Sequence, residues 1–168
     1  MGMERHCRKK RKMELEITVL RQKKGNDAGL PAALEALVKK ALNAASAAAG
    51  YKGSATEAAV LLTDDFTMAA IHGQYLGDPS PTDVICFSAS GTGDEPAVKD
   101  GPAEDSLGDI VISEDTAKAQ ALQYGHSLED EIALLVVHGA LHLFGYDDDD
   151  DASRRVMREM ESRALSLL

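Results

Sequence analysis

His138 and His142 stand four residues apart in the apolar run EIALLVVHGALHLF, and an aspartate follows in the pattern His-x3-His-x5-Asp, at Asp148. On a helix, residues at i and i+4 share one face, so two imidazoles stack there with ring nitrogens able to meet a single ion. Gly145 ends the run, and a glycine can turn the chain through a left-handed conformation. That turn lets Asp148 fold back toward the open side of both rings. Imidazole nitrogen with carboxylate oxygen suits zinc, and other divalent transition metals (nickel, cobalt, iron) remain open by ligand type. The run from Asp147 to Asp151 blurs which carboxylate coordinates; spacing favours Asp148, with Asp147 or Asp149 as alternatives. The bland readings are a helical histidine pair satisfied by hydrogen bonds and a solvated acidic turn. A zinc peptidase of the H-E-x-x-H type needs a glutamate beside its first histidine as general base. Gly139 occupies that place and has no side chain, which argues against peptide hydrolysis.

Several elements must position these residues. MELEITVL, from Met13, alternates polar and apolar residues as a first strand does. Pro31 to about Ala49 reads as a helix with proline in its first turn and a stop at Gly50. Ala58 to Leu62 is a second strand, and Asp64 or Asp65 caps a helix that stops at Gly77. Residues 82–90, TDVICFSAS, form a third strand and LGDIVIS at 107–113 a fourth. Between them, GTGDEPAVKDGPAEDS is a flexible insertion. Its Gly91-Thr92-Gly93 is no phosphate loop, because neither Lys-Ser/Thr nor a helix start follows. Ser113 caps a helix through Gln123, and Ser127 with Asp130 makes a capping-box variant before the histidine helix. That helix is apolar almost all round, so it should run through the middle of the domain. A last helix, from about Ala152, places Val156, Met160 and Ala164 at i, i+4 spacing, with Met157 and Leu165 beside them. The expectation is an α+β fold: one domain, a four-stranded mixed sheet and about five helices around a buried central metal-binding helix with a zincin-like site. The domain spans 13–168, after a basic, disordered tail at 1–12.

The chain has 168 residues, 44% hydrophobic and 27% charged, the balance of a soluble globular domain. Aromatics make up only 4% and tryptophan is absent, so aliphatic side chains must fill the core. No apolar run approaches a membrane span, and no signal-type stretch follows the basic start. Cys7 and Cys86 make no disulfide framework; Cys86 reads as a small buried hydrophobe, and a reducing cytoplasm is the default. The net charge of −10 arises from 28 acidic against 18 basic residues and weighs against sequence-independent binding to polyanions. A local basic groove stays open.

HGALHLFGYDD at 138–148 resembles the signature H-G-x-L-H-L-x-G-Y-D-H of the YbeY family of bacterial ribosomal-RNA maturation endoribonucleases. PTDVICF at 81–87, LGDIVIS and AKAQALQYGHSLEDE also resemble family blocks, in the family's order, so the likeness covers roughly residues 13–160. It implies a zinc-dependent, single-strand-specific endoribonuclease acting in maturation of the small-subunit rRNA 3′ end and in ribosome quality control. Its implied partners are single-stranded ribosomal RNA, ribosomal particles and a ribosome-associated GTPase, with no membrane. One zinc per chain would be held by His138, His142 and Asp148, with water and a phosphoryl oxygen activated there. Asp109 and Asp147 are candidates to orient a ligand histidine, His126 and Thr82 to line the cleft, and Arg154 and Arg155 to supply positive charge. There are two departures. The family's usual third ligand is histidine, where Asp148 stands, and a carboxylate leaves the ion a weaker Lewis acid. Relatives often carry arginine in a Y-R-G-K-D stretch that here reads Tyr75-Leu76-Gly77-Asp78-Pro79, and leucine cannot pair phosphate oxygens. Besides the disfavoured peptidase, the rivals are a non-catalytic ribosome-assembly factor with a mainly structural metal and a binding module without metal.

Overall fold

A computed structural model describes residues 15–23, 29–53, 55, 57–89 and 106–168. The basic tail at 1–12, Cys7, Met13 and the insertion at 91–105 lie outside the described residues. The elements run β1 (Glu16–Gln22), α1 (Ala32–Ala49), β2 (Glu57–Thr63), α2 (Asp65–Leu76), β3 (Val84–Ser88), β4 (Ser106–Ser113), α3 (Glu114–Tyr124), α4 (Leu128–Leu143) and α5 (Asp151–Leu165). Four strands form one sheet in the order β1-β2-β4-β3. β1 and β4 flank β2 in parallel, and β3 pairs antiparallel with β4. This is the expected α+β domain with a mixed sheet.

The helix starts follow their local chemistry. Asp64, not Asp65, caps α2: its carboxylate accepts from the Thr67 amide at 2.8 Å. Ser113 accepts from Thr116 at the start of α3. Ser127 and Asp130 exchange side-chain and backbone hydrogen bonds ahead of α4, satisfying two amides that the first turn leaves without helical partners. Pro31 sits just outside α1 as its N-cap rather than inside the first turn.

Helix α4 packs against α1, α3, α5, β3 and β4, which makes it the centre of the domain. Ile132, Val136, Val137 and Leu141 along it are fully buried, each stabilising the fold by roughly 1.5–3 kcal/mol relative to exposure. Gly139 lets this helix lie close on the sheet. A Cβ there would stand 2.9 Å from Cys86 Sγ and 2.9 Å from Ile110 Cγ2. Cys86 is buried, as its surroundings in the sequence imply. The other sheet face carries Met68 of α2 with Ile85, Phe87 and Val111 in a second, smaller cluster.

On α5 the buried stripe differs from the expected one. Met157 and Ala164 are buried, with Met160 and Leu165 packed against the core, while Val156 is 47% exposed. The inward positions 157, 160, 161, 164 and 165 repeat at i, i+3, i+4, i+7 and i+8, so Val156 falls one residue, about 100° of helix, off the stripe. No helix among the described residues is long and apolar enough to cross a membrane.

Candidate metal centre

The central helix holds both histidines rigidly, one turn apart. Their rings meet nearly edge to face, with centroids 4.7 Å apart at 79°. The two Nε2 atoms approach to 3.1 Å. Beyond Leu143 the chain leaves the helix through Gly145 at φ +92°, a conformation open to glycine and rarely taken by other residues. The turn brings Asp148 Oδ1 to 3.8 Å from His142 Nε2. One donor atom from each of His138, His142 and Asp148 lies within 4.8 Å of the others.

That arrangement fits a metal ion. Two nitrogens, each 2.0–2.1 Å from a tetrahedral ion, stand about 3.3 Å apart, close to the observed separation. The side chains of His138, His142 and Asp148 are 24, 20 and 41% exposed. Three partly exposed side chains of this kind would leave a coordination position of such an ion open to solvent.

Glu161, from α5, completes the centre, and nothing in the sequence reading singled it out. Its Oε1 lies 2.7 Å from His138 Nδ1. The available signal was a carboxylate in phase with Met157 and Ala164, on a face that otherwise turns inward. Burial disfavours charge on His138, but the hydrogen bond and charge of Glu161, with help from Asp148 and Asp83, outweigh it and raise the pKa above the ordinary imidazole value. Burial and the neighbouring His138 push His142 down, against the pull of Asp148 and Asp147. The two rings are thus pushed in opposite directions, His138 by its carboxylate partner and His142 by burial beside a neighbouring imidazole.

The other candidates from the sequence are placed variously. Asp147 lies in the same turn and accepts the Asp148 amide at 2.7 Å. Arg154 donates to the Asp148 and Asp149 carbonyls at 3.1 Å each and to Asp151 at 2.7 Å, so it fastens the turn that carries Asp148. Arg155 is exposed on α5. Thr82 donates to Asp83 at the start of β3, and Asp83 is held from α3 by Gln120. His126 pairs with buried Glu131 at the foot of α4, four turns of chain before the histidine cluster closes. Asp109 has no hydrogen bond to either histidine among the described residues. It lies with Phe87, Val111, Leu61 and Tyr75 in a groove on the sheet face away from α4, where burial raises its carboxyl pKa. Leu76 ends α2 and is 44% exposed.

Comparisons with known proteins point to one family. A family model described as Endoribonuclease YbeY matches residues 10–168. The chain is 44% identical over 132 residues to Endoribonuclease YbeY of Moorella thermoacetica, covering 78% of this chain and 82% of that protein. It is 40% identical over 136 residues to the protein of the same name from Pelotomaculum thermopropionicum, covering 81% and 87%. The solution structure of TM1509 from Thermotoga maritima superposes with a TM-score of 0.57 at 21% identity, over 90% of this chain and 88% of that one, which is a likeness of fold.

Proposed function

This chain belongs to the Endoribonuclease YbeY family, and from that premise we propose that it is a zinc-dependent endoribonuclease cutting single-stranded RNA. The convergence of His138, His142 and Asp148 on one open point carries the reading. A bound divalent ion would supply Lewis acidity toward a phosphoryl oxygen and an activated water. The chain's own residues set the rest. His138 and His142 present Nε2 atoms from a helix that cannot shift without disturbing the core. Asp148 adds a carboxylate on a turn that Arg154 braces. Gly139 offers no general base, so the site suits phosphodiesters better than peptides. We place the substrate in ribosomal RNA, at the small-subunit 3′ end, with ribosomal particles and a ribosome-associated GTPase as partners, a role in ribosome quality control and the cytoplasm as the setting.

The test is cleavage of a single-stranded ribosomal RNA fragment by zinc-loaded protein, alongside His138→Ala and His142→Ala. The expected result is cleavage by the parent that disappears in both variants while their folding persists. Leu76, Asp148 and the net charge of −10 favour a second reading, an assembly factor with a mainly structural metal. RNA left intact with every metal tried, beside undiminished association with ribosomal particles, would establish that reading instead.

A further inference from the structure

Glu161 is a costly residue where it stands. It occupies an inward position of α5 between buried Met157 and Ala164, and its side chain is only 17% exposed. A leucine there would extend the apolar stripe, whereas a carboxylate partly removed from water must be compensated by a partner. The partner is His138 Nδ1 at 2.7 Å, on a different helix and 23 residues earlier in the chain.

We propose that Glu161 is a positioning residue of the metal centre, acting through His138; the inference rests on the metal-binding reading of that histidine. An imidazole that donates its Nδ1 proton to a carboxylate keeps the lone pair on Nε2, the atom facing His142 and Asp148. The hydrogen bond also fixes the ring about χ2, so that Nε2 is aimed before an ion arrives. A negative partner makes the ring a stronger donor. Together with Asp148 it gives the centre two negative charges to set against one divalent ion. The site is thereby tuned toward holding its metal more than toward strong Lewis acidity. Helix α5, not only the signature segment, is then part of the functional apparatus.

The experiment is a zinc titration of the full chain against a chromophoric chelator, with visible spectra of the cobalt-substituted protein and thermal midpoints of the metal-free forms. The set comprises the parent, His138→Ala, Glu161→Gln, Glu161→Ala and, as a charge-matched control, Glu159→Gln on the exposed side of the same helix. The parent should bind one zinc and His138→Ala should lose it. Both Glu161 variants should bind roughly 10–100-fold more weakly and shift the cobalt bands, while Glu159→Gln matches the parent. Glu161→Gln keeps the volume of the side chain and decides the matter if the alanine variant does not fold. Zinc affinity within about threefold of the parent in the Glu161 variants overturns the positioning role and leaves the metal site standing. So does an affinity loss that merely follows a lowered metal-free midpoint with unchanged cobalt bands. A parent that binds neither zinc nor cobalt overturns both readings.

Discussion

At position 148 a carboxylate and an imidazole would make different metal centres from the same scaffold. With Asp148 the ligand set carries one negative charge, which lowers the effective charge of a bound ion and makes a water there less acidic. Asp148→Ala should weaken zinc by more than the roughly 10–100-fold that loss of a supporting partner costs, read by chelator competition. Asp148→His makes the ligand pattern His-x3-His-x5-His and should bind zinc at least as tightly as the parent. Its cleavage of RNA should also rise at lower pH, because three neutral imidazoles leave more of the ion's charge uncompensated. A pH–rate profile that stays in place after Asp148→His would show that the third ligand does not set the acidity of the centre. The turn makes the exchange feasible, since Gly145 and Arg154 hold its backbone and position 148 itself is partly exposed.

Helix α4 is where local sequence and tertiary packing meet. Alanine at position 139 would be favoured by helix propensity by about 1 kcal/mol over glycine. Packing opposes it more strongly, because the new methyl group would meet Cys86 Sγ and Ile110 Cγ2 at 2.9 Å. Neither atom is the end of a long flexible side chain, so the helix must rise off the sheet. Gly139→Ala should therefore cost about 1–3 kcal/mol in urea denaturation, and a neutral or stabilising result would mean that the sheet yields easily. The caps of α2, α3 and α4 and the pairing of His138 with His142 were legible in the sequence, since each depends on residues within four positions of one another. Glu161 was not, because its link to His138 exists only once α5 has docked on α4. The phase error at Val156 has a similar origin. Both Val156 and Met157 are apolar, and only the contact with the core selects between them. Asp109 shows the same limit in a strand, where alternation separates two faces without saying which of them carries the histidines.

Across the whole molecule, one ion cluster ties the first strand to the third helix. Arg21 of β1 makes paired hydrogen bonds of 2.8 Å each to buried Glu114, 93 residues away, and Lys23 joins them. Burial pushes the Glu114 carboxyl up, but the hydrogen bonds and charges of Arg21 and Lys23 prevail and hold it below the usual carboxylate range. A folded-state value below the unfolded one, about 4.3, means stability that is present above that pH and lost as pH falls through the folded value. Glu114→Gln should cost roughly 1–3 kcal/mol at pH 7, below the full penalty of breaking a buried pair because both cations still reach water. The gap between parent and variant in urea denaturation should narrow as pH falls below the unfolded value of about 4.3 toward the lower folded one. A gap that stays constant down to the acid at which the parent itself unfolds would assign the cost to packing instead of charge.

The strand order has a bearing on how the molecule is made. β4 lies between β2 and β3 although it follows both in the chain. When the first 89 residues have left the ribosome, β1 and β2 can pair across α1, but β3 has no neighbour to bond with. Its apolar residues Ile85, Cys86 and Phe87 wait for residues 106–113 to arrive and fill the gap. Sheet closure is thus a late event built on pairings distant in sequence, the kind that forms slowly and leaves unpaired edges exposed meanwhile. The histidine helix, which lies on β3 and β4 together, can settle only after that insertion. His138 and His142 in consequence come into place only after the sheet has closed.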